Sequence, residues 1–251
     1  MLFVWYKVSF DEKWSHGSAV CETVYFFVEF VCVFPWKCVS LNNQNRGKIM
    51  DGILRKLPIG IQTFEKLREG DYLYVDKTAL VWRIASTETP YFLSRPRRFG
   101  KSLLLSTFEA YFEGKKELFE GLAIADMEKE WKTYPVFHLD LNAEKYDSPQ
   151  ALVEILSRQL TQWELKYGKG EDEETLSGRF AGVIRRACEQ SGRGVVVLVD
   201  EYDKPLLQAL DDGALLDDYR KTLKAFYGVL KSSDRYLRFV FLTGVTKFAQ
   251  V

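Results

Sequence analysis

An α/β fold, a three-layer sandwich in which helices cover both faces of a mostly parallel sheet, is what this sequence predicts, and two observations predict it. The first is a series of short, almost wholly apolar runs separated by stretches of helical periodicity: Tyr91–Ser94, Tyr134–Asn142, Gly194–Glu201 and Leu237–Leu242. Strands of that kind need cover on both faces, and the intervening helices supply it. The second is the loop Arg95-Pro96-Arg97-Arg98-Phe99-Gly100-Lys101-Ser102, set between the strand Tyr91–Ser94 and the helical opening Leu103-Leu104-Leu105. Strand, loop and helix, with Gly-Lys-Ser at the junction, is the layout of a phosphate-binding loop, so the sandwich is of the P-loop NTPase kind.

In chain order, residues 1–49 fit no element of that fold. They hold Cys21, Cys32 and Cys38, many aromatics and almost no periodicity, whereas residues 50–251 are patterned throughout. The apolar stretch Ala19–Trp36 carries Glu22 and Glu29. A charge at mid-bilayer costs about 2.5–3.5 kcal/mol on insertion scales, so this is a poor membrane span. It lacks a basic start and an early small-residue cleavage site, so it is a poor signal peptide as well. The extension is read as an over-extended N-terminus with Met50 as the start of the domain; an interaction or membrane-associating segment is the competing reading.

From Met50 the pattern is regular. Ile61, Phe64 and Leu67 predict a helix that Gly70 ends as a C-terminal glycine. Tyr72–Val75 is a short extended piece, and Asp76 caps a helix over Lys77–Ala85 that turns Leu80, Val81 and Ile84 inward. The strand Tyr91–Ser94 delivers the phosphate loop, and the helix Ser102–Glu113 stops before Gly114. In the strand Tyr134–Asn142, His138 is read as packed and hydrogen-bonded, and Asp140 as a cap or turn residue, with the nucleotide site as its alternative. Ser148-Pro149 opens a helix over Gln150–Lys166 with Leu152, Ile155, Leu156, Leu160 and Trp163 on one face. The charged loop Gly168–Glu174 leads to a helix marked by Leu176, Phe180, Val183, Ile184 and Ala187, with Cys188 on its buried side. After the strand Gly194–Glu201, a long amphipathic helix is marked by Leu216, Tyr219, Leu223, Phe226, Tyr227 and Leu230.

The chemistry follows from residue types. Gly100 lets the backbone turn so that amide N–H groups converge on phosphate oxygens, and the helix behind it adds its positive end. Lys101, on an exposed loop, would reach the β- and γ-phosphates, and Ser102 would place its hydroxyl on Mg²⁺. Arg95 stands where the general pattern has glycine, so this loop alone competes evenly with a solvated turn carrying a lysine. The second site decides. Gly194-Val195-Val196-Val197-Leu198-Val199-Asp200-Glu201 is a strand ending in two carboxylates, a Walker B pattern following a Walker A loop. Asp200 would hold the magnesium through water, and Glu201 would polarise the attacking water.

Composition bounds the reading without sharpening it. At 47% hydrophobic and 28% charged, the 251 residues suit a soluble protein of one or two domains. Lys plus Arg equals Asp plus Glu at 35 each, so net charge advertises neither nucleic acid nor an acidic membrane surface, a local basic patch aside. The four cysteines form no C-x-x-C pair and there are two histidines, which leaves no zinc constellation and fits a reducing cytoplasm.

The runs Pro58-Ile59-Gly60, Tyr74-Val75-Asp76-Lys77-Thr78, Arg95–Leu103, Val199–Pro205 and Leu242–Phe248 together make the chain from about Leu57 to Val251 resemble the bacterial AAA-ATPase-like proteins. An arginine at the loop's first position is what that family's loop looks like. The resemblance implies that Arg95, Pro96, Arg97, Arg98, Phe99, Gly100, Lys101, Ser102 and Leu103 bind ATP. It implies that Ser102 and Asp200 hold Mg²⁺, that Glu201 acts as catalytic base with Lys101 at the phosphates, and that Thr243 is a polar sensor beside the γ-phosphate. Similar proteins continue past Phe248 into a further strand, a small helical lid and often a PD-(D/E)XK nuclease-like domain. The domain is therefore expected to be C-terminally incomplete, with any nucleic acid met through that further domain. Three classes stay open: Mg²⁺-dependent ATP hydrolysis coupled to conformational change, a nucleotide kinase, and a nucleotide-gated binding module or nucleic-acid adaptor with little turnover. The absence of an arginine-rich acceptor lid counts against the kinase. Arg95, Arg97 and Arg98 would serve phosphates of nucleotide or nucleic acid alike, and self-association is expected because AAA-type sites often need a neighbour's arginine.

Overall fold

Each apolar run becomes a strand, and every strand pairing is parallel. In the computed structural model, residues 6–7, 55–142 and 145–246 are described; most of the N-terminal extension, Met50 and everything from Lys247 onward lie outside them. The strands β1 (Tyr6–Lys7), β2 (Tyr91–Ser94), β3 (Val136–Asp140), β4 (Val195–Asp200) and β5 (Leu237–Gly244) form one sheet ordered β1-β2-β5-β4-β3. β1 is a two-residue edge in which Tyr6 lies beside Tyr91. The helices are α1 (Phe64–Glu69), α2 (Thr78–Ala85), α3 (Lys101–Phe112), α4 (Ala123–Met127), α5 (Pro149–Tyr167), α6 (Leu176–Ser191), α7 (Lys204–Gln208) and α8 (Gly213–Ser232).

β4 is buried at every position, and its side chains divide between two cores because successive residues of a strand point to opposite faces. Val196 and Leu198 join Phe239 and Phe241 of β5 against Phe64, Leu104, Phe108, Phe112 and Phe119, the layer of α1 to α4. Val195, Val197 and Val199 join Phe137, Val240 and Leu242 against α5, α6, α7 and α8 on the other face. There Phe180 stacks on Phe226 with ring centroids 4.4 Å apart, and Phe137 on Trp163 at 4.5 Å. Burying each such side chain contributes roughly 1.5–3 kcal/mol, so both faces are independently driven onto the sheet.

The order of strands positions the site. β5 runs between β2, which delivers the phosphate loop, and β4, which ends in Asp200. The exits of three neighbouring strands therefore meet at one edge of the sheet, where open α/β folds place their ligands.

Local differences from the sequence reading have physical causes. The sheet is wholly parallel among the described strands. Tyr72–Val75 makes only a single bridge, Lys56 with Tyr72, and no strand. α1 ends at Gly70, but Gly70 keeps a negative φ of −82° and the left-handed turn falls on Asp71. Asp76 does hold the start of α2, accepting from Thr78 N at 2.8 Å. Its other oxygen accepts from Ala123 N at 2.7 Å, tying in α4, a five-residue helix too short to show a period.

Candidate functional site

Gly100 adopts φ 77°, ψ 19°, and α3 starts directly after it. That conformation is strained for any residue with a Cβ, which is why glycine stands here. No side chain caps the helix, so the N–H groups of its first turn, which lack intrahelical partners, face the loop and suit an anion. Pro96, Arg97, Arg98, Phe99 and Gly100 are exposed and Arg95 is half-buried; Arg95 N donates to Gly244 O at 3.0 Å. Arg98 has a φ of 68°, so the loop turns left-handed at two places. Leu103 packs partly buried on the α1–α4 side and belongs to the core more than to the loop.

Lys101 corrects the picture of a lysine on an open loop. Its side chain is 4% exposed and pairs with Glu201 Oε1 at 3.1 Å. Its ammonium also donates to Arg95 O at 3.1 Å and Pro96 O at 3.3 Å. A buried ammonium needs anionic and carbonyl partners, and the loop folds its own carbonyls over this one to provide them. Glu201 is 12% exposed at its side chain and sits at φ 53°, a conformation that costs of order 1–3 kcal/mol for a residue other than glycine and persists only where neighbours over-determine it.

Asp200, 4% exposed, accepts one hydroxyl on each oxygen. Ser102 Oγ donates to Oδ2 at 2.5 Å and Thr243 Oγ1 donates to Oδ1 at 2.5 Å. Thr243 Oγ1 in turn accepts from Glu201 N at 3.3 Å. Lys101, Ser102, Asp200, Glu201 and Thr243 thus form one connected group drawn from α3, β4 and β5. The donors around Asp200 and Ser102 are all oxygen, the set that a hard divalent cation such as Mg²⁺ takes; among the described residues no cluster of three or more His, Cys, Asp or Glu could hold a metal.

The remaining polar residues of the sheet have structural work. Asp140 aligns with Asp200 but is exposed and accepts from Asn142 N at 2.8 Å, a turn. His138 Nδ1 meets Glu109 Oε2 of α3 at 2.9 Å, while its Nε2 is buried with no hydrogen-bond partner among the described residues. Burial pushes the His138 imidazole down, but the bond to Glu109 and the charges of Glu109, Asp200 and Asp140 raise its pKa above the ordinary histidine value overall. Cys188 is packed at the edge of the α5–α8 core, and burial, then Glu189, lifts its thiol.

Two residues beside the site escaped the sequence reading. Tyr202 N donates to Thr243 O at 2.8 Å, and its hydroxyl donates to Thr246 O at 3.2 Å. Asp203 is fully buried and accepts from Val245 N, Thr246 N and Thr246 Oγ1. The signal was present in the run Val199–Pro205, where an aspartate follows the two carboxylates, but its partners lie on another strand's exit.

Comparison with known proteins gives the chain a family. The family described as predicted AAA-ATPase (AAA-ATPase_like) matches residues 58–251. An uncharacterized protein in the vnfD 5' region of Azotobacter chroococcum mcd 1 is 43% identical over 198 residues, covering 78% of this chain and 38% of that relative. The chain therefore spans well under half the length of that relative. No solved structure matches significantly. Among the described residues, no helix is long and apolar enough to cross a membrane.

Proposed function

Because this chain belongs to the predicted AAA-ATPase-like family, whose membership carries nucleotide binding with it, we propose that it binds ATP with Mg²⁺ and hydrolyses it. The observation that carries this reading is the connected group Lys101, Ser102, Asp200, Glu201 and Thr243 at the exits of neighbouring parallel strands. The N–H groups opening α3 and the ammonium of Lys101 would take the phosphates. Ser102 and Asp200 would hold Mg²⁺, which when bound offsets charge on the phosphate oxygens.

The Lys101–Glu201 pair supports one order of events. An incoming β,γ-phosphate competes with the Glu201 carboxylate for the same ammonium, and carries more charge. Lys101 turns to the phosphates and leaves Glu201 to accept a hydrogen bond from a water. Glu201 then takes the water's proton as the water oxygen bonds to the γ-phosphorus, and the bond from that phosphorus to the bridging oxygen breaks, giving ADP and phosphate. Thr243 keeps Asp200 and the Glu201 backbone in place meanwhile.

The test is a titration with a fluorescent ATP analogue and a phosphate-release assay on wild type and Glu201→Gln. Binding should persist in the variant while turnover falls by about 10²–10⁴-fold. A wild-type chain that binds no ATP refutes the site. Tight binding with no release from either protein would make it a nucleotide-gated binding module.

A further inference from the structure

The exit of β5 is bonded to both halves of the site. On one side Arg95 N donates to Gly244 O at 3.0 Å and Ser94 Oγ donates to Val245 O at 2.9 Å, which fastens the entry of the phosphate loop. On the other side Thr243 receives Glu201 N on its hydroxyl at 3.3 Å and Tyr202 N on its carbonyl at 2.8 Å, which fastens the residue proposed as base. The sheet ladder holds this segment as far as Gly244, and Asp203 holds the two residues beyond it. Its Oδ2 accepts from Val245 N at 3.0 Å, Thr246 N at 2.6 Å and Thr246 Oγ1 at 2.7 Å. Asp203 is 0% exposed, and its second oxygen is buried with no hydrogen-bond partner among the described residues. A carboxylate is costly to bury, and the two amides and one hydroxyl that converge on its Oδ2 offset that cost.

The fit around it leaves no slack. A Cβ at Gly244 would lie 2.6 Å from the Tyr202 ring and 2.8 Å from Asp203 Oδ1. The Tyr202 ring in turn packs edge-on against Phe92 of β2, centroids 5.0 Å apart. Asp203, Tyr202 and Gly244 therefore lock β4's exit to β5's exit beside the strand that carries the phosphate loop.

Resting on the ATP-site reading above, we propose that Asp203 is a positioning residue: it clamps Val245 and Thr246, through the adjoining Thr243 sets Glu201 for catalysis, and couples nucleotide binding to the exit of β5. Its carboxylate bonds lie on Val245 and Thr246, so it acts through Thr243 and Glu201.

The test uses the 251-residue chain with Asp203→Asn, which keeps size and one acceptor oxygen but removes the charge that holds three donors on it. Turnover should fall by up to about 100-fold, the cost of misplacing a reacting group by an ångström, with KM and ATP-analogue affinity little changed. In a Glu201→Gln background Asp203→Asn should add no further loss, because both act on one step. Hydrogen exchange gives a readout independent of turnover: a non-hydrolysable ATP analogue should slow exchange across residues 243–246 in wild type and leave it unchanged in Asp203→Asn. Thr246→Val, which removes one donor of three and keeps the backbone pair, should show the same losses in smaller degree, and it decides the matter should Asp203→Asn fail to fold. Wild-type turnover in Asp203→Asn, additive losses in the double variant, or loss of affinity in step with melting temperature would overturn the positioning role. A wild type that binds no ATP overturns the site reading and this role together; normal ATP turnover with Asp203 dispensable overturns this role alone.

Discussion

Two buried ion pairs in this protein, Arg179–Glu164 and Lys101–Glu201, differ in how completely their partners are satisfied. Arg179 on α6 gives Nε and Nη2 to the two oxygens of Glu164 on α5 at 2.8 and 2.7 Å. It also donates to Ser157 Oγ at 2.6 Å and Thr161 Oγ1 at 2.9 Å. A planar fork meeting a carboxylate bidentately, with two hydroxyls taking further donors, is a finished arrangement. Lys101 makes three contacts at 3.1 to 3.3 Å, one to a carboxylate held in left-handed backbone and two to carbonyls of its own loop. A compact ammonium on a flexible stem can leave those contacts for a better anion. Burial alone does not mark an ion pair as structural; what marks it is whether a partner from outside could do better.

The largest effect is expected at Arg179. Arg179→Ala leaves the Glu164 carboxylate buried and uncompensated, which should cost about 3–5 kcal/mol. Thermal unfolding should register that as a drop of roughly 2–4 °C per kcal/mol for a chain of this size, with ATP-analogue affinity unchanged. Arg179→Met with Glu164→Leu should recover most of the loss. A single variant as stable as wild type would mean that the α5–α6 pair holds nothing together.

Lys101→Ala should show the opposite signature. Removing a charge-assisted contact to phosphate is worth about 1.5–3 kcal/mol, read in the fluorescent titration as roughly 10- to 150-fold weaker binding. Thermal stability should move less than in Arg179→Ala, because Glu201 sits at the rim of the site and can reach water. Unchanged affinity in a folded variant would remove Lys101 from the phosphate site.

The smallest effect belongs to the half-buried pair His138–Glu109. Because the folded pKa of His138 is raised, its contribution to stability is complete below the unfolded value and fades as pH climbs through the folded one. Urea midpoints should therefore fall through that range in wild type, and Glu109→Gln should flatten this part of the profile. An identical slope in both proteins would separate His138 from the pH dependence.

The sequence by itself determined every long element and which polar residues stand at the ends of those elements, where the candidate site lies. Uniform apolar runs and helical spacing are local properties, so β2, β4, β5 and the helices α3, α5, α6 and α8 sit within a few residues of where the pattern places them. Gly100, Lys101, Ser102, Asp200 and Glu201 were legible for the same reason, each lying at the end of such an element. The short helices α4 and α7 carry no full period and were invisible. Only the tertiary structure decided that β5 lies between β2 and β4, because strand order is settled by long-range packing on two faces of the sheet and leaves no local trace. From that order follow the burial of Lys101 against Glu201, the shared Asp200 between Ser102 and Thr243, and the clamp of Asp203 on Val245 and Thr246. Each joins residues far apart in the chain, and a polar side chain's role is fixed by the partner it meets when buried, which the sequence does not name.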